Sequence, residues 1–432
     1  MNPSNQLHSV KAKYDMAFKD ACSQFKNLEL ARARATHARW KAIENLDSYL
    51  IEFEANFIKS GGKIIWAQDS LEAIDAVVKI SKNAGAQTIV KSKSSTAEEL
   101  LLKERVGIEG LDIIETDAGD YIADSMDDHS GHMVLPAVHK SVEEINSHFG
   151  LNNLAPDQLV GVIRDRLRET YLHADIGITG CNFLIADPGA IVITENEGNA
   201  QLCASTPKTH IVLTGIDKIL PSLNYLDLFL PLLSTYGTGQ KLTAYNSIIT
   251  GPKQPEDLDG PEELYVIIID NGRSSVLEHE VQRQASTCIK CGACQFNWPV
   301  YMSNPANNFS NPISAVTSPL IDNFESQEDA VRNSLLDGNL MDICPVKIDI
   351  QKLLIENRKE SVEKGFEPRA NKLFYFFWKK AMLNRDIMNW KGIKAGKYIM
   401  EGLYKSDRGL RETPTIAPQS FNEQWREKLN IK

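Results

Sequence analysis

A chain of 432 residues, 42% hydrophobic and 24% charged, has room for two or three domains and the balance of a folded globular protein, which excludes a disordered or fibrous one. No window approaches 18 uninterrupted apolar residues, so no transmembrane segment is expected, and MNPSNQLHSVKAKYD lacks the basic-then-apolar pattern of a signal peptide; the expected compartment is cytoplasmic. The net charge of −10 is uneven: residues 351–432 hold 18 Lys and Arg against 10 Asp and Glu, so an acidic body carries a basic tail, and with no recognition motif nucleic acid is excluded as a partner.

Residues 4–60 contain no proline and no glycine and read as helix, stopped by Gly61-Gly62. An alternation follows. KIIWAQ (63–68) reads as a strand, and Asp69 with Glu72 is a capping box opening a helix to about Asn83. QTIVKSKS (87–94) is a second strand, with Ser95 and Glu98 opening the next helix. GLDIIETD (110–117) is a third and GHMVLPAV (131–138) a fourth, after which Ser141 and Glu144 open another helix. This pattern predicts an α/β fold with a doubly wound sheet.

From 175 to 216 the texture becomes strand-rich, with turn signals at Asp187-Pro188-Gly189 and Glu197-Gly198-Asn199 and a buried strand HIVLTGI (210–216). ELYVIIIDNGR (263–273) closes this region. The expected organisation is a helical segment 1–60, an α/β domain 61–279, a cysteine module 280–360 and a basic helical tail 361–432. In that tail, KLFYFFWKKAMLNRDIMNW (372–390) packs six aromatics among lysines and wraps apolar residues round more than one helical face, which favours burial against protein over lipid.

The chain has seven cysteines: Cys22, Cys181, Cys203, Cys288, Cys291, Cys294 and Cys344. Disulfide frameworks belong to small secreted chains, so the clustered four point to metal. Cys288, Cys291 and Cys294 form C-x2-C-x2-C, and tight turns at that spacing bring three sulfurs round one [4Fe-4S] cube. In two-cluster ferredoxins the pattern continues x3-C-P, and that fourth cysteine serves the other cluster. Here Trp298 stands in its place, before Pro299. The second Cys-Pro is Cys344-Pro345, and the template laid back from it falls on Ser334, Asp337 and Leu340. One complete ligand set, Cys288, Cys291, Cys294 and Cys344, is therefore expected, and one erased set. Trp298 is expected to fill the vacated volume and shield the surviving cube. A structural zinc on the same thiolates and a metal-free fold are the alternatives.

Cys22, Cys181 and Cys203 lie in helical or apolar strand-like surroundings and are not expected to be ligands. Lys91, Lys93 and Ser94 end a strand just before a helix, where open α/β sheets gather anionic ligands; a capped helix with exposed lysines is the plainer reading. His132, His139 and His210 lie beside apolar strands, where a hydrogen-bonded core histidine is the commoner role. No G-x-G-x-x-G with its downstream acid and no P-loop supports a flavin or nicotinamide site.

The blocks IVKSKSSTAEE (89–99), MVLPAVHKSVEEI (133–145), DIGITGCNFLIADPGAIVITENEGNAQL (175–202), HIVLTGIDKILPSL (210–223), TCIKCGAC (287–294) and CPVKIDIQKLL (344–354) resemble those of the lactate-utilization iron–sulfur protein B family. The end, KSDRGL and APQSFNEQWRE (405–427), is similar to the family's terminus, so a complete chain is expected. The resemblance implies a lactate-utilization domain with a mixed sheet similar to CoA transferases and ribose-5-phosphate isomerase, followed by a ferredoxin-like iron–sulfur module. It implies an electron carrier in a complex oxidising L-lactate to pyruvate, with other lactate-utilization subunits as partners and an acceptor at the membrane or in the quinone pool. Family members carry two clusters; this chain departs at Trp298, Asp337 and Leu340. By analogy with CoA transferases, Glu195 and Glu197 in TENEGN are candidate catalytic carboxylates; a bare turn explains the segment equally well. The function expected is an electron-transfer subunit. The alternatives are a transferase-like enzyme with a structural cluster, and a partner-binding scaffold.

Overall fold

The Pro- and Gly-free N-terminal stretch folds as three helices, α1 (Pro3–Cys22), α2 (Leu28–Glu44) and α3 (Leu46–Lys59). The break before α2 is set by Asn27, whose side chain accepts the Leu30 amide and offers the backbone an alternative to helix. This is a computed structural model, and it describes residues 3–127, 137, 140–303, 311–336, 338–366, 369–384, 419 and 421–429. The chain divides into two units, residues 1–360 and 361–432.

In the first unit, β1 (Lys63–Ala67), β2 (Thr88–Lys91), β3 (Asp112–Glu115), β4 (Ile176–Gly180), β7 (Thr209–Gly215) and β10 (Glu263–Ile269) form a six-stranded sheet in the order β1-β10-β7-β4-β2-β3. Every pairing in it is parallel. Parallel strands need crossovers, and these bury both faces. On β7, Ile211 and Leu213 pack with Ala73 and Val77 of the helix Ser70–Asn83, while Val212 packs with Phe53 and Phe57 of α3. Each such aliphatic side chain contributes about 1.5–3 kcal/mol on burial. The crossover helices start on local caps. Asp69 accepts the Leu71 and Glu72 amides, and Ser141 and Glu144 form a full capping box. The cap after β2 is Ser94, one residue earlier than the sequence pattern suggested, accepting the Ala97 amide. The expected strand at 131–138, with His132 and His139, lies outside the described residues apart from Ala137.

The strand-rich texture after residue 175 forms a separate four-stranded mixed sheet, ordered β8-β5-β6-β9, from β5 (Phe183–Asp187), β6 (Ala190–Glu195), β8 (Ile219–Ser222) and β9 (Tyr245–Ile249). The β5–β6 turn requires glycine: Gly189 has φ +83°, and a Cβ there would meet the Phe57 backbone nitrogen at 2.6 Å. The period-2 rule makes this sheet a wall between two cores. Leu184, Ala186, Ile191 and Ile193 face the six-stranded sheet. Phe183, Ile185, Ala190 and Val192 face a second core that contains Cys291, Cys344, Trp298 and parts of α1 and α2. The cysteine region thus shares a core with the N-terminal helices.

In the second unit, the helix Arg369–Leu383 carries the aromatic run. Residues 373–378 are all exposed on the single chain, so the expected burial is not supplied within this helix's own unit. Residues 385–390 lie outside the described ones.

Candidate metal centre

The loop bearing the first three cysteines begins after a 3-10 helix, Gln282–Thr287, and turns twice through left-handed backbone, at Lys290 (φ 57°) and Gly292 (φ 78°). Those turns aim amides inward. The Lys290 amide donates to Cys288 Sγ at 3.3 Å, and the Ala293 amide bonds the Cys291 sulfur. Cys344 follows the short helix Asn339–Ile343, which Pro345 prevents from continuing. The chain then turns through Lys347 (φ 52°), and the Val346 and Ile348 amides bond the Cys344 sulfur.

These two segments meet. Cys288, Cys291, Cys294 and Cys344 line one pocket of about 420 Å3, open mouth included, whose other walls include Ile289, Ile313, Val346, Ile348 and Ile350. Burial pushes the Cys291 and Cys294 thiols well up, with the neighbouring thiols adding to it; Cys344 is pushed up to about 11, by burial and then by Cys288. Four thiols facing one another in an apolar pocket suit a group that takes the charge of all four thiolates together. Among the described residues, no three His, Cys, Asp or Glu side chains are set to hold a single metal ion. The donor set, four thiols and no imidazole or carboxylate, is one that a thiolate-bound cube takes.

The positions of the erased set are filled. Trp298 and Leu340 are both fully buried in the core that holds Cys291 and Cys344. Ser334 is buried too, and its carbonyl and hydroxyl accept from the Arg358 guanidinium. Asp337 lies outside the described residues. The Trp298 ring does not line the cysteine pocket. It packs in the neighbouring core instead, and the apolar lining of the pocket comes from the isoleucines and Val346.

The remaining candidates are dispersed. Lys91 is buried and pairs with Glu115 at 2.8 Å; Lys93 pairs with Asp120 at 3.0 Å and Glu98 at 3.6 Å. Both charges are met within the protein, and Ser94 is occupied as a cap. Glu195 accepts the Ala200 and Gln201 amides at the start of a helix, and Glu197 accepts the Ala118 amide. Glu197 is pushed up to about 7, by burial and then by Asp117. His210 is a core histidine: Nε2 lies 2.8 Å from Thr179 Oγ1, and burial drives its pKa down to about 3, so it stays neutral. Cys181 and Cys203 sit beside Thr214 and Thr116, away from the pocket, and burial raises them to about 11 and about 12. Cys22 ends α1. The triple variant Cys22→Ala/Cys181→Ala/Cys203→Ala is expected to keep the parent's full iron content by elemental analysis; loss of half would reveal a second site. The sequence reading missed two buried arginines of α2, Arg32 and Arg39, which bond both cysteine-bearing segments.

Residues 50–269 match the LUD domain family, which makes the α/β body a LUD domain. The chain is 41% identical over 354 residues to lactate utilization protein B of Geobacillus thermodenitrificans, covering 79% of this chain and 74% of the relative. It is 38% identical over 366 residues to lactate utilization protein B of Bacillus subtilis, covering 82% and 76%. An Escherichia coli relative, named an uncharacterized electron transport protein, YkgF, is 35% identical over 411 residues, covering 90% and 86%. The chain belongs to the lactate utilization protein B family. A solved DUF162 family protein from Deinococcus radiodurans is 16% identical with a TM-score of 0.31, covering 52% of this chain and 98% of that one.

Proposed function

We propose that Cys288, Cys291, Cys294 and Cys344 hold one [4Fe-4S] cluster, and that the chain is the electron-carrying subunit of an assembly that oxidises L-lactate to pyruvate, beside other lactate-utilization subunits. The observation that carries this reading is the meeting of four cysteines, from two segments far apart in sequence, round one apolar pocket. The relatives' names, lactate utilization and electron transport, support the assignment. In this reading the cysteine region is a ferredoxin-like module, and the LUD domain shares the layout of CoA transferases and ribose-5-phosphate isomerase.

A cluster bound there supplies storage for one electron at a time. The chain's own groups set its surroundings. The amides of Lys290, Ala293, Val346 and Ile348 point at the sulfurs, where they favour added negative charge. Ile289, Ile313, Val346, Ile348 and Ile350 exclude water, which opposes that charge. The transferase-like alternative loses support from the ion pairs of Lys91 and Lys93, which leave neither lysine unpaired for an anionic ligand.

The test uses the protein purified with the subunits that accompany it. L-Lactate is expected to bleach the cluster absorbance in that assembly and not in the isolated chain, while dithionite bleaches both. An assembly that dithionite bleaches and L-lactate does not would contradict lactate as the electron source.

A further inference from the structure

Arg32 and Arg39 stand seven residues apart on α2, two turns along one face. Arg32 is almost fully buried. Its Nε and Nη2 donate to the Cys344 carbonyl at 3.2 and 2.8 Å, and Nη2 also donates to the Met341 carbonyl at 2.9 Å. Its Nη1 pairs with Glu29 at 2.7 Å, and Glu29 pairs in turn with Lys347 at 2.5 Å, so the trio keeps a net positive charge beside Cys344. Arg39 is 1% exposed and donates to four carbonyls: Ser286 at 3.0 Å and Thr287 at 3.1 Å, just before Cys288, Ile219 at 2.8 Å, at the start of β8, and Asp217, in the 3-10 turn between β7 and β8.

A buried guanidinium needs a counter-charge as well as hydrogen bonds. Among the described residues Arg39 has no ion pair. The nearby Asp217 carboxylate is engaged by Arg273 at 3.2 Å. What stands next to both arginines is the cysteine pocket. A cube held by four thiolates is anionic and gains a further negative charge on reduction. One helix therefore brings two positive charges and seven hydrogen bonds to six carbonyls, which hold the two ligand segments and tie them to the LUD domain.

We propose that α2 is a cationic clamp on the cluster: Arg32 and Arg39 are positioning residues that hold the two ligand segments in register and supply positive charge that favours the reduced state. This rests on the cluster reading above. It also explains why the N-terminal helices share a core with the cysteine module.

The experiment compares the full chain with Arg32→Gln and Arg32→Lys, each loaded anaerobically, by iron content and by the midpoint potential from an EPR-monitored redox titration. Arg39→Gln orphans four buried carbonyls and is expected to unfold, so Arg32 carries the test. Arg32→Gln is expected to show a lower midpoint potential and faster iron loss to a chelator. Arg32→Lys, which keeps the charge and loses the fork, is expected to hold the parent's potential while losing iron faster. A merely structural role would alter iron loss in both and the potential in neither. An unchanged potential in Arg32→Gln overturns the proposal, and so does an equal fall in both variants. If Arg32→Gln retains no iron, Arg32→Lys decides: the parent's potential supports the clamp, and complete loss of iron overturns it. A parent that loads no cluster would refute the cluster reading, and this inference with it.

Discussion

Cys344→Ser is expected to lose cluster iron as completely as Cys291→Ser. The two residues come from segments remote in sequence yet line the same pocket, each with backbone amides aimed at its sulfur. A serine hydroxyl is a far weaker acid than a thiol and a harder ligand, so either change leaves one iron of a cube without its thiolate. Iron and sulfide contents with the visible absorbance, measured on both variants beside the parent, make the comparison. Retention of the spectrum in Cys344→Ser would mean that the cube is closed by another ligand and that the two segments do not share it.

Trp298→Ala is expected to cost about 3–5 kcal/mol of stability, the usual range for removing a large buried aromatic side chain. The ring is fully buried with Leu340 in the core beneath the cysteine pocket, where the ferredoxin template has ligand positions. Denaturant unfolding of parent and variant measures the loss; a change under about 1 kcal/mol would mean that the neighbours close over the space. Trp298→Cys is expected to gain no iron, because Ser334, Asp337 and Leu340 still offer no thiolate. On this reading the template positions of the second set hold packing groups, Trp298 and Leu340, while the pocket's own walls are isoleucine and valine.

What could be read in advance was local. Asp69 and Ser141 cap helices because the capping pattern spans only three residues, and the β-rich runs declare themselves by their own side chains. The four cysteines were legible for the same reason: a ligand loop is a spacing. What escaped depends on partners far along the chain. Arg32 and Arg39, in ARARATHAR, look like a solvated helical face, and nothing nearby announces that their partners are carbonyls of residues 341, 344, 286 and 287. Lys91 looked available because its partner Glu115 arrives only when β3 pairs with β2. The second sheet was hidden because HIVLTGI and FLIAD are both buried on two faces, and such strands do not say which sheet they join.

The central claim, one [4Fe-4S] cluster on Cys288, Cys291, Cys294 and Cys344, is tested most directly by counting iron, zinc and acid-labile sulfide on the anaerobically purified chain. The account predicts about four iron and about four sulfide per chain, with negligible zinc. About eight iron per chain, or one zinc with no sulfide, would contradict it.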